Sequence, residues 1–132
     1  MEETAVRASQ ATIDLLTKYY DAMEENDPER YGAYYADDMT LTFANSPAVT
    51  GRESAIAAFS DVLNKVRSLH HDLVNVWEEA GGVVIFESVG TWNLRNGTAI
   101  SINACSVFTF VDGKFTDQRI YVDNAPVLAA LA

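Results

Sequence analysis

A chain of 132 residues with 48% hydrophobic content is long enough for one ordinary core and short for two, so one domain spanning 1–132 is expected. Nine Lys and Arg against nineteen Asp and Glu leave a formal charge of -10. That field repels phosphate backbones and anionic headgroups, which argues against nucleic acid and membrane surfaces as partners. No apolar run approaches bilayer-spanning length, and the start "MEETAVRASQ" lacks the basic and greasy regions of a secretory signal. A cytoplasmic location is expected. The single cysteine, Cys105, cannot form an internal disulfide or a CxxC metal knuckle and reads as a buried strand thiol.

From Thr12 to Glu25, Ile13, Leu16, Tyr20 and Met23 recur at helical spacing until "ND" and Pro28 interrupt them. Asp27 then reads as an N-cap with Pro28 in the first helical position, opening a short second helix to about Tyr35. The segment "ADDMTLTFANSP" follows as a half-buried strand, with Leu41 and Phe43 on one face and Asn45 continuing their row. On composition alone Asn45 reads first as a turn residue before Ser46-Pro47. Between Arg52 and Val66, the residues Ile56, Phe59, Leu63 and Val66 share one face of a third helix.

The remainder is rich in β-branched and aromatic residues: Leu69 to Trp77, Val83 to Trp92, Thr98 to Val111 and Phe115 to Val122. The links "EAGG", "LRNG" and "VDGK" carry the Gly and Asn-Gly chemistry of antiparallel hairpins, so a four-stranded meander is expected. In the tail, Asp123 or Asn124 can cap a final helical turn. Helices followed by a coiled antiparallel sheet make an α+β fold, with a conical pocket between three helices and the sheet.

Alternation selects the residues facing that pocket. In the second meander strand, the row Val83, Ile85, Glu87, Val89, Thr91 is apolar except for one carboxylate and competes with Val84, Phe86, Ser88, Gly90, Trp92. The first row inward would place Glu87 in a desolvated wall, where a carboxyl is poised for general acid or base work. The opposite parity puts Glu87 in water beside Arg95 or Arg119. Ile100 to Phe110 by twos, and Gln118, Ile120, Val122, are the apolar rows of the next two strands. In the first strand, the row Leu69, His71, Leu73, Asn75, Trp77 is taken inward, which makes His71 rather than His70 a proton partner for Glu87. Tyr19 or Tyr20 can direct a hydroxyl into the same space. A lone inward His without a second ligand gives no metal site, and no cofactor motif is present.

The order of elements, with "YYADDMTL", "TGRESAIAAF" and "FTFVDGKFTDQRIYVDNAPVL", resembles the SnoaL-like and ketosteroid isomerase-like group of the nuclear transport factor two-like superfamily, over nearly the whole chain. The resemblance implies a cone of helices on a strongly curved sheet and homodimers packed through the outer sheet face. It does not imply one reaction, because the fold hosts many. Ketosteroid isomerases, whose reaction depends on carboxyls tuned by their surroundings, keep a Tyr and two Asp; the matching positions here are Tyr19, Phe43 and Ser106, so two acids are lost. The positions of epoxide hydrolases similar to limonene epoxide hydrolase read Glu87, Val89, Ile120, Phe43 and Asn45, and of these the Asn alone matches. The dehydratase pattern of His and Asn four residues apart matches His71 and Asn75, and a cyclase Asp falls near Asp123.

The expected function is therefore cofactor-free acid–base chemistry, of cyclase, isomerase or dehydratase type, on a small hydrophobic oxygenated molecule such as a polyketide or terpenoid. Glu87, His71 and Tyr19 are the expected catalytic residues, with Asn45, Phe43, Tyr35, Phe59, Val89, Ser106 and Ile120 against the substrate. The alternative is a ligand-binding or dimerisation module without turnover, because the lost acids leave a greasy wall.

Overall fold

The structure is a computed structural model that describes residues 7–131. Three helices precede the meander: α1 (Gln10–Glu24), α2 (Pro28–Gly32) and, after strands β1 (Tyr35–Phe43) and β2 (Val49–Thr50), α3 (Arg52–Leu63). Strands β3 (Ser68–Glu79), β4 (Val83–Asn93), β5 (Ala99–Val111) and β6 (Lys114–Val122) form the antiparallel meander, and α4 (Ala125–Leu131) ends it. One six-stranded sheet results, in the order β2-β1-β6-β5-β4-β3, with β1 running parallel to β6. The α+β fold and the curved sheet under three N-terminal helices are as expected.

Local chemistry explains most boundaries. Ser9 caps α1 by accepting from the Thr12 amide at 3.2 Å. The Asp27 side chain accepts from the Arg30 amide at 3.3 Å, and Pro28 begins α2 as anticipated. That helix ends at Gly32 rather than Tyr35, because Tyr35 is taken into the sheet opposite Phe115; the helix backbone runs close to α3, where a Cβ on Gly32 would collide with Ile56 Cδ1. Tyr35 already belongs to β1, so "YYADD" lies largely in a strand. Gly82 turns the β3–β4 hairpin at φ 80° against the Phe110 carbonyl, a place with room for no side chain.

The core is a cluster of rings between helices and sheet: Tyr19, Tyr31, Tyr35, Phe86, Phe108 and Phe115 are all at or below 1% exposure. Neighbouring rings meet edge to face, as between Phe86 and Phe108 with centroids 4.8 Å apart. Two carboxylates fasten α1 along β3. At one end Glu78 accepts from the Ser9 amide (2.9 Å) and the Thr12 hydroxyl (2.8 Å), and at the other Glu24 accepts from the His71 amide (2.6 Å). These ties set the distance between the first helix and the pocket wall.

Candidate functional site

A cavity of about 310 Å³ opens between α1, α3, α4 and the concave sheet face. This is near the lower end of the range of about 300–1,000 Å³ usual for small-molecule sites. Strand register defines its wall. His71 pairs with Gly90, which pairs with Ile102; one step along, Leu73 pairs with Ser88 and Ser88 with Ala104; beyond them Phe86, Ser106 and Ile120 align, and Ile120 pairs with Phe43. The lining is largely apolar, with His71, Lys65, Asn124 and a few hydroxyls as its polar members.

Of the expected site residues, Tyr19, His71, Phe43, Phe59, Ser106 and Ile120 line this cavity. Four other expected residues do not. Glu87 is exposed on the outer face, where its carboxylate accepts from Asn75 Nδ2 at 2.8 Å, and Asn75 in turn accepts from Arg7 Nη1 at 2.9 Å. Val89 shares that outer row and flanks a shallow depression with Glu87. The inward row of β4 is Val84, Phe86, Ser88, Gly90 and Trp92, the reverse of the expected parity. Its small members Ser88 and Gly90 make the space and Trp92 bounds it, whereas an ionised carboxylate stays in water when the other strand face offers it. His71 therefore cannot share a proton with Glu87.

Tyr35 is buried behind the wall, with its hydroxyl 2.6 Å from that of Tyr19. Asn45 is exposed in the turn that ends β1, where Ala44 adopts φ 52° and the Ser46 amide donates to the Phe43 carbonyl at 3.0 Å; the turn reading of Asn45 holds. The inward row of β3 also fails after Leu73, because a register shift between Leu73 and Asn75 turns Asn75 and Trp77 outward. Asp123 caps the tail by accepting from the Ala125 amide at 3.0 Å. Cys105, expected to be buried, is exposed opposite Glu87.

The polar partner of His71 is Glu24, which spacing alone had not singled out. Its carboxylate Oε2 takes the His71 backbone N–H and lies 3.4 Å from the ring Nδ1, a long contact that is not a well-formed hydrogen bond. Glu24 Oε1 meets His70 Nδ1 at 3.0 Å, and His70 Nε2 meets Asp72 at 3.0 Å. Burial raises the Glu24 carboxyl, but the side-chain and backbone contacts of His71 and the contact from His70 outweigh it and hold Glu24 below its ordinary pKa. Tyr20 stacks on the His71 ring with centroids 4.2 Å apart and planes inclined by 30°. Nδ1 is thus buried against a carboxylate, and Nε2 is the nitrogen left to serve the cavity that His71 lines. A signal for Glu24 did exist, since it continues the stripe of Leu16 and Tyr20 by one further turn. It also ends a helix, where the dipole disfavours a negative charge, so its reason for being there is tertiary.

Tyr19 is the least available donor. Burial holds its phenol well above the ordinary tyrosine pKa, and Tyr35 occupies its oxygen. The wholly buried Gln118 amide lies alongside and makes no hydrogen bond of good geometry to any described residue. By contrast, Ser88 and Ser106 are buried residues of the sheet that line the cavity. Among the described residues there is no group of His, Cys, Asp and Glu that could hold a metal ion, and no helix long and apolar enough to cross a membrane.

This architecture is that of a nuclear transport factor two-like protein with a pocket in its cone. The model of the SnoaL-like domain matches residues 16–118, and the chain belongs to that family. Solved structures share the fold at low identity. A nuclear transport factor two-like protein of unknown function from Burkholderia pseudomallei K96243 is 15% identical with a TM-score of 0.79, over 94% of this chain and 99% of that one. A protein from Jannaschia sp. CCS1, named provisionally as a SnoaL-like polyketide cyclase, is 18% identical with a TM-score of 0.77, over 99% and 96%. An epoxide hydrolase from M. tuberculosis, described as LEH-like, is 17% identical with a TM-score of 0.74, over 90% and 87%. No curated protein matches the sequence.

Proposed function

We propose that the protein binds a small, largely apolar, oxygenated molecule such as a polyketide or terpenoid intermediate and moves a proton on it, with His71 as general base and acid. The observation that carries this reading is a histidine on an apolar cavity wall whose Nδ1 is buried against the Glu24 carboxylate. A carboxylate at Nδ1 favours the tautomer with the proton on that nitrogen, leaves a lone pair on Nε2 and stabilises the imidazolium that forms. Nε2 takes a proton from a carbon beside a carbonyl, the C–H electron pair passes to the carbonyl oxygen, and the imidazolium returns the proton at the same or a conjugated carbon. The enolate oxygen needs a donor, and the hydroxyls of Ser88 and Ser106 on the same wall are suited to that role. Glu24 does not line the cavity and is a positioning residue.

The cyclase and hydrolase names among the structural neighbours support an enzyme on this fold and leave the reaction open. The test follows α-proton exchange of 1-indanone in D2O by NMR. Exchange faster than buffer with the wild type, and at the buffer rate with His71→Gln, is expected; equal rates for the two proteins would refute the role of His71. A second reading, ligand binding without turnover, is favoured by the occupied Tyr19 hydroxyl and the largely apolar lining. Saturable ligand binding with no exchange would select it. We further propose a homodimer formed through the outer sheet face, where Val74 and Tyr121 are exposed, with solution mass by light scattering as its test.

A further inference from the structure

Each of the seven glycines except one has a local reason to be glycine. Gly51, Gly81, Gly82, Gly97 and Gly113 have positive φ, and Gly32 lies against Ile56. Gly90 has neither property. Its φ is not positive, and an added Cβ would find only ordinary contacts, Trp92 Nε1 at 3.6 Å and Leu69 Cδ1 at 3.8 Å. The ladders on both sides run through it without a bulge, His71 to Gly90 and Gly90 to Ile102. A glycine inside a regular strand weakens it; with bulge, turn and backbone crowding excluded, two causes remain, a bend of the curved sheet and close approach by a ligand, and the cavity in front of Gly90 points to the ligand. Gly90 is buried, lines the cavity and stands directly across the ladder from His71.

We propose that Gly90 is the specificity-determining position of the pocket: its missing side chain opens a slot between His71 and Ile102, closed at one end by Trp92, that admits the edge of a flat ring system. The inference rests on the small-molecule reading of this cavity and adds the shape of what enters it. The ring rests on the bare backbone of β4, flanked by the Leu69 and Trp92 side chains that an added Cβ would touch. That placement brings a ring substituent beside the His71 imidazole. A side chain at 90 would fill the slot without disturbing the ladder, since its direction is already that of an ordinary strand residue.

The test uses the fluorescent naphthyl ketone prodan as the probe, titrated into the full chain and into Gly90→Ala, Gly90→Val and, as an outer-face control, Thr91→Val. The wild type and Thr91→Val are expected to bind prodan with the same Kd. Gly90→Ala is expected to weaken binding several-fold and Gly90→Val at least ten-fold, with a melting temperature unchanged or raised, because the unfolded chain loses freedom. Unchanged prodan affinity in folded Gly90→Val overturns the proposal. If Gly90→Val does not fold, the same criterion passes to Gly90→Ala, for which affinity equal to the wild type overturns it. Failure of the wild type to bind any prodan overturns the small-molecule reading beneath it, and is distinguishable because the loss then precedes any change at Gly90.

Discussion

Glu24, the last residue of α1, receives the backbone N–H of His71 at 2.6 Å and faces Nδ1 of the same residue at 3.4 Å. One carboxylate thereby fixes the strand position of the candidate base and faces its ring. Glu24→Gln retains the size and can still accept the amide, but it no longer stabilises an imidazolium. The expected result is a loss of about ten-fold or more in α-proton exchange, with prodan affinity within two-fold of wild type. His71→Gln should lose the whole side-chain contribution, about 10²–10⁴-fold for general acid–base catalysis. Equal exchange in wild type and Glu24→Gln would show that the carboxylate only anchors the strand.

The pair formed by Glu24 and His70 predicts a pH dependence of stability. Hydrogen bonds to Glu24 and then Asp72 raise His70 above its ordinary 6.5, so the folded state binds the proton more tightly than the unfolded state. This contribution is complete below pH 6.5 and disappears as pH rises through the raised folded value. Glu24 is held low and acts in the opposite sense, stabilising above about pH 4.5 and losing its effect as pH falls through its folded value. Melting temperature followed from pH 2 to 8 should therefore fall at both ends for these two reasons. His70→Asn should remove the decline on the alkaline side and leave the acid decline in place.

The Tyr19 and Tyr35 hydroxyls, 2.6 Å apart in the buried core, satisfy each other. Removing either oxygen leaves the other without its partner, at a cost of about 1–3 kcal/mol. Tyr19→Phe and Tyr35→Phe are each expected to destabilise by that amount in urea unfolding. The double variant should be less destabilised than the sum of the two, since it leaves no orphan. Strict additivity would mean that the hydroxyls have other partners.

Glu87 and Asn45 are expected to be functionally silent. Glu87→Gln alters a carboxylate that faces water beside Asn75, and Asn45→Ala alters an exposed turn. Both should keep wild-type α-proton exchange and prodan affinity, with stability changes within about 0.5 kcal/mol, as for surface substitutions generally. A hundred-fold loss in Glu87→Gln would restore the inward carboxylate and contradict the register of β4.

Local patterns in the sequence determined the elements and their order: helical spacing in α1 and α3, the Asp27-Pro28 start of α2, hairpin glycines between long strands, and the cap at Asp123. They were legible because each depends on residues within a few positions of one another. The inward row of β5, and of β6 through Gln118 and Ile120, was legible too, since one face of each strand is plainly more apolar. In β4 both faces carry Val, Ile or aromatic residues, and only the curvature of the sheet decided which is concave. Counting apolar residues chose wrongly there, because a pocket-lining row needs small residues such as Ser88 and Gly90 while the outer row can be tiled with β-branched ones. Likewise the shift after Leu73 reversed Asn75 and Trp77, since one extra residue in a period of two exchanges the faces. The pairing of Glu24 with His71 spans 47 residues and joins a helix end to a strand start. No local periodicity encodes such a meeting; it exists because α1 is laid across β3 and fastened there, which is a property of the packed molecule alone.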